Sequence, residues 1–134
     1  MASDIQRKNG MPVGNTVQIA SAESITILNM PEGKSVDQLI HELKEDSDEM
    51  IRSAAATALG RIKSEKSIDH LIQALNDKHV YVRHGAAWAL GEIKSEKAIS
   101  ALYRAALADN DKLARGIAAE ALWKIQKDLQ TSTC

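Results

Sequence analysis

From Val36 onward the apolar residues recur at helical spacing. Val36, Leu39, Ile40 and Leu43 fall at i, i+3, i+4 and i+7, and Ile68, Leu71, Ile72 and Leu75 repeat the pattern. Residues so spaced share one face of a 3.6-residue helix. A second stripe follows each first one: Ile51, Ala55, Ala58, Leu59 and Ile62, then Val82, Ala86, Ala89, Leu90 and Ile93. The stretches between the stripes, KEDSDE, NDKHV and LADNDK, carry short polar side chains that suit helix N-caps. The pattern predicts helical hairpins of about 31 residues, repeated along the chain.

Laid over one another, residues 35–66, 67–97 and 98–128 share whole columns. Val36, Ile68 and Ile99 open the units, and Leu39, Leu71 and Leu102 follow. Asp46, Asp77 and Asp109 each precede Arg52, Arg83 and Arg115 by six; behind each Arg come Ala at plus three, four and six, Leu at plus seven and Ile at plus ten. The string IKSEK, at 62–66 and again at 93–97, then reads as the end of a second helix and the turn into the next hairpin, with Ile62 or Ile93 as the last core residue. The middle unit is one residue shorter between its halves, where a loop tolerates deletion. In the third unit Trp123 stands in the column of Gly60 and Gly91, and Ala106 replaces a first-helix Leu, as terminal repeats often depart from their neighbours.

The flanks read differently. Residues 1–15 are polar and punctuated by Gly and Pro, a mobile N-terminal arm. Residues 16–34 read as an N-terminal cap whose form stays open. Val17, Ile19, Ile25 and Ile27 alternate like two short strands, whereas Ile19, Ile27 and Met30 stand 32 residues before Ile51, Leu59 and Ile62, as in a degenerate second helix. A free arm is the third form. Residues 129–134 read as a C-terminal tail.

Composition narrows the class. Among 134 residues there are two Trp, two Tyr and no Phe, while Ala crowds the second half, which favours closely packed helices over sheets. With a net charge of −1 there is no sequence-wide positive field, so neither nucleic acid nor an anionic membrane is expected as a partner. No run of 18 apolar residues occurs, and MASDIQRKNG lacks the basic-then-apolar order of a signal peptide, so the chain reads as cytoplasmic. Cys134, the single cysteine, has no internal disulfide partner.

Site chemistry is sparse. His41, His70, His79 and His84 show no i, i+4 pair, and solvated or capping roles suit them better than metal ligation. ADNDK at 108–112 lacks the Gly and final Glu of a calcium loop. Gly10, Gly14 and Gly33 do not make a phosphate loop. No catalytic residue, metal or cofactor is expected.

The Asp and Arg columns with AATALGRI at 55–62 and AAWALGEI at 86–93 resemble HEAT repeats of the short, phycobilisome-lyase type. The resemblance implies an all-α, right-handed α-solenoid of about three hairpins with an N-terminal arm or cap. It also implies that Asp46, Asp77, Asp109, Arg52, Arg83 and Arg115 form a ladder tying adjacent repeats together. Among similar proteins, deoxyhypusine hydroxylases hold two irons with His-Glu doublets. Carrying that position over gives Ser53-Ala54, His84-Gly85 and Gly116-Ile117, so only His84 survives, which argues against an enzyme. A bilin-lyase activity stays open, since no distinctive residues decide it.

A helical wheel puts Tyr81, His84 and Trp88 together, away from the core columns of the second helix. Thr57 and Glu120 share the column of Trp88, and Trp123, one turn beyond Glu120, would extend the patch. In HEAT-like solenoids second helices line the concave face, so the resemblance places these residues in a groove. The expected function is a non-enzymatic scaffold or interaction module that binds a protein or peptide there. The alternatives are an accessory subunit of a lyase-like or modification enzyme, or a binder of tetrapyrroles or small ligands through Trp88 and His84. The alternatives to a groove are that Trp88 lies under the N-terminal arm or a symmetry mate, or is an incidental surface aromatic. So short a stack leaves room for a homodimer.

Overall fold

The computed structural model describes residues 33–133. The expected arm, residues 1–15, and all but the last two residues of the expected cap lie outside them. The described residues form three helical hairpins and no strand. The helices are α1 (Val36–Glu45), α2 (Glu49–Arg61), α3 (Ile68–Ala74), α4 (Val80–Ile93), α5 (Ile99–Ala108) and α6 (Lys112–Thr133). Short 3-10 turns, Glu65–Ser67 and Glu96–Ala98, lead into α3 and α5. This is an all-α solenoid of three repeats.

Local chemistry explains where the helices begin. Ser35 and Gln38 form a capping box at α1. Asp48 accepts the Met50 amide at 2.9 Å, the His79 Nδ1 accepts the Tyr81 amide at 3.2 Å, and Asp111 accepts the Ala114 amide at 2.8 Å, so one side chain per repeat opens each second helix. The missing residue of the middle unit is absorbed at the end of α3. The amides of Asp46 and Asp109 reach back four residues to Glu42 and Ala105, but that of Asp77 reaches back only three, to Ala74. The last turn tightens from α to 3-10 and saves the residue.

The repeated IKSEK strings share a backbone feature. Lys63 and Lys94 both turn into the left-handed region, with φ of 53° and 61°. In the first, the Ser64 amide donates back to the Leu59 carbonyl at 3.1 Å, closing a Schellman-type stop. A side chain in that conformation costs roughly 1–2 kcal/mol, which glycine avoids in exchange for a smaller entropic penalty. Lys63→Gly and Lys94→Gly are therefore expected each to raise stability by roughly 0.5–1 kcal/mol, read by thermal melting.

The core is thin and built from small residues. Leu39, Leu71 and Leu102 of the first helices and Leu59, Leu90 and Ile125 of the second are all fully buried. Second helices stack on one another more heavily than α1 stacks on α3. Glycine makes that approach possible: a Cβ on Gly60 would lie 2.7 Å from the Ala89 Cα, and one on Gly91 would lie 2.9 Å from the Ala121 Cα. The third unit has no further repeat against it among the described residues. Accordingly Ala56 and Ala87 are buried while Ala119 is exposed, and Trp123, in the glycine column, is 58% exposed.

Residues 129–133 are no separate tail: α6 continues through Thr133. No Gly or Pro interrupts QKDLQTST, so nothing stops the helix after its last core residue.

Candidate functional site

Two inter-repeat devices hold the second helices in register. Arg52 donates through Nε and Nη2 to both carboxylate oxygens of Asp77, at 2.9 and 3.0 Å, and through Nη1 to the Asp46 carbonyl at 2.9 Å. Arg83 repeats this with Asp109, at 2.8 and 3.1 Å, and with the Asp77 carbonyl at 3.0 Å. Each fork thus spans its own repeat and the next, a bidentate geometry only guanidinium offers. Each acidic residue also accepts the amide two residues on. Arg115 keeps only the inner bond, to the Asp109 carbonyl at 2.7 Å, because no further Asp faces it among the described residues.

Burial alone would raise the carboxyls of Asp77 and Asp109, but the guanidiniums of Arg52 and Arg83, with the amides of His79 and Asp111, outweigh it and hold both below the ordinary 3.8. The bond from His84, followed by the Ala114 amide, lowers Asp111 as well. A carboxyl with a depressed folded value contributes stability above its unfolded value and loses it as pH falls through the folded one. The melting temperature should therefore fall increasingly steeply below about pH 4, and Arg83→Met should flatten that fall, as circular dichroism melts across pH will show.

The second device lies one helix position further on. Ser53 Oγ donates to the Tyr81 carbonyl at 3.1 Å, and in the next repeat His84 Nε2 meets Asp111 Oδ2 at 2.8 Å. The Tyr81 ring stands edge-on to His84 with centroids 5.9 Å apart. These bonds fix the wall of a hollow of about 570 Å³ that Trp88, Thr57 and Ile117 also line. On the far side of Trp88 lies a second hollow of about 430 Å³, walled by Leu113, Ile117, Glu120 and Lys124 over Gly116. Every residue lining either hollow belongs to a second helix.

Tyr81, His84, Trp88 and Thr57 therefore come together, and Glu120 joins them across Trp88. Trp123 does not: it lines a separate small depression with Lys94 and Lys127, whose Nζ sits 4.7 Å from the indole centroid. Nor does Trp88 point freely outward. It is half-buried, because its ring lies over Gly60, where a Cβ would come within 2.9 Å of the ring edge. Sequence reasoning passed over Met50 and Leu113 as binding residues although they share the column of Tyr81. The three are 56%, 61% and 52% exposed, an apolar row with one member per repeat. It also missed Asp111, whose helix-capping position was visible but whose reach to His84 was not.

His79 is a helix cap, while the His70 Nδ1 is buried and has no hydrogen-bond partner among the described residues. Among the described residues no helix is long and apolar enough to cross a membrane. No curated protein matches the chain. The sequence profile of HEAT repeats matches residues 36–123, a span that holds the Asp and Arg rungs and runs from the start of α1 into α6. The chain belongs to the HEAT-repeat family.

Proposed function

We propose that this protein is a non-enzymatic interaction module of the short, phycobilisome-lyase type of HEAT repeat, and that it binds a protein or peptide on its second-helix face. HEAT repeats commonly mediate protein–protein interaction. The observation that carries the choice of face is the surface around Trp88: two adjoining hollows, about 570 and 430 Å³, bordered by the exposed row of Met50, Tyr81 and Leu113. A contiguous apolar surface of this kind, centred on a pre-positioned aromatic, is what an interface hot spot requires. The rungs of Arg52 with Asp77 and Arg83 with Asp109 serve this function indirectly, by holding consecutive second helices in register.

The small-ligand alternative draws less support, because His84 spends Nε2 on Asp111. The test is affinity capture with wild type beside Trp88→Ala, each melted first. Loss of the captured protein by a variant that melts normally supports the face. Retention of the same protein by Trp88→Ala counts against it.

A further inference from the structure

We infer that the segment bound on this face presents a basic side chain, Lys or Arg, beside a bulky apolar one, and that Glu120 is the carboxylate that recognises it. The inference rests on the second-helix face being the binding surface. The groups lining the two hollows that can carry charge are His84, Glu120 and Lys124. Two are committed within the fold: His84 to Asp111 at 2.8 Å, and the Lys124 Nζ to Glu92 at 2.6 Å. Glu120 is exposed and, among the described residues, makes neither a hydrogen bond nor an ion pair. Among the described residues lining the two hollows, the uncommitted charge is thus negative. A partner that covers it without supplying a cation leaves a desolvated, unpaired carboxylate, which works against binding.

The neighbouring shape supplies the apolar half of the specification. At Gly116 a Cβ would meet nothing within 4 Å, so the floor of the smaller hollow is open. Leu113, Ile117 and Trp88 wall that floor, and Glu120 lines the same hollow. A large apolar side chain fits above Gly116, and an adjacent cation then meets both the Glu120 carboxylate and the indole of Trp88, a favourable pairing for Arg above all.

The test is selection of random peptides displayed on phage against the purified full chain, wild type and Glu120→Lys in parallel. The enriched peptides are then synthesised and titrated against both proteins and Trp88→Ala. Peptides selected on wild type are expected to pair Lys or Arg with a bulky apolar residue and to bind Glu120→Lys at least about tenfold more weakly. Selection on Glu120→Lys is expected to turn toward acidic peptides. Enrichment without basic residues, or equal binding to both proteins, overturns the inference. If binding ignores Glu120 but is lost in Trp88→Ala, the face stands and the basic partner falls. If no peptide is enriched, or neither substitution matters, both fall.

Discussion

Arg83→Met is expected to lower the unfolding free energy by about 3 kcal/mol, because it strands the Asp109 carboxylate, whose side chain is only 7% exposed. In a described core of about 100 residues that corresponds to a fall in melting temperature of more than about 10 °C. The expectation carries its own control. Arg115 occupies the same column but faces no next-repeat carboxylate among the described residues, so Arg115→Met forfeits one bond to the Asp109 carbonyl and should cost about 1 kcal/mol or less. Adding Asp109→Asn to Arg83→Met should recover most of the loss. The asparagine carbonyl still accepts the Asp111 amide, and the buried charge is gone. If Arg83→Met and Arg115→Met melt alike, the inter-repeat rung is not what Arg83 contributes.

Gly60→Ala and Gly116→Ala make the same chemical change in two helices and are expected to have opposite signs. In a helix interior, alanine is favoured over glycine by about 1 kcal/mol. Gly116 is free to show that gain, since its added methyl meets nothing, and a stabilisation of about 0.5–1 kcal/mol should follow. At Gly60 the methyl would stand 2.7 Å from both the Cα and the Cβ of Ala89 and 2.9 Å from the Trp88 ring. The first contact is with backbone, so α4 must shift as a body, and overpacking of about 1–3 kcal/mol exceeds the propensity gain. A net loss of up to about 2 kcal/mol is expected for Gly60→Ala in chemical denaturation. Because Trp88 moves with α4, its fluorescence should change as well.

The repeat was legible because the same apolar residues return at the same offsets, and buried columns tolerate little else. Leu39, Leu71 and Leu102 needed no structure to be placed inside. The glycine column was equally visible, but its reason was not: Gly60 is small for the sake of Ala89 and Trp88, nearly thirty residues away, and a wheel drawn on one helix holds no interhelix distance. The same blind spot hid how Trp88 lies, since the wheel gives its direction and not the gap its ring fills. The Asp and Arg columns, through the family resemblance they carry, implied that rungs exist. They did not show that each fork crosses to the Asp of the following repeat, which depends on the stacking offset between helices. His84 read as a surface imidazole because its partner, Asp111, is 27 residues distant and appears in sequence only as one of several acids in a turn.

The claim that the second-helix face carries the function is tested most directly by site-specific photo-crosslinking. A photoreactive phenylalanine analogue placed at Tyr81 or Leu113 samples that face, and one placed at His41 or Gln73 samples exposed positions on α1 and α3. A partner crosslinked from positions 81 and 113, and not from 41 and 73, is the predicted result. The same partner crosslinked only from 41 and 73 would contradict the account and move the binding surface to the first helices.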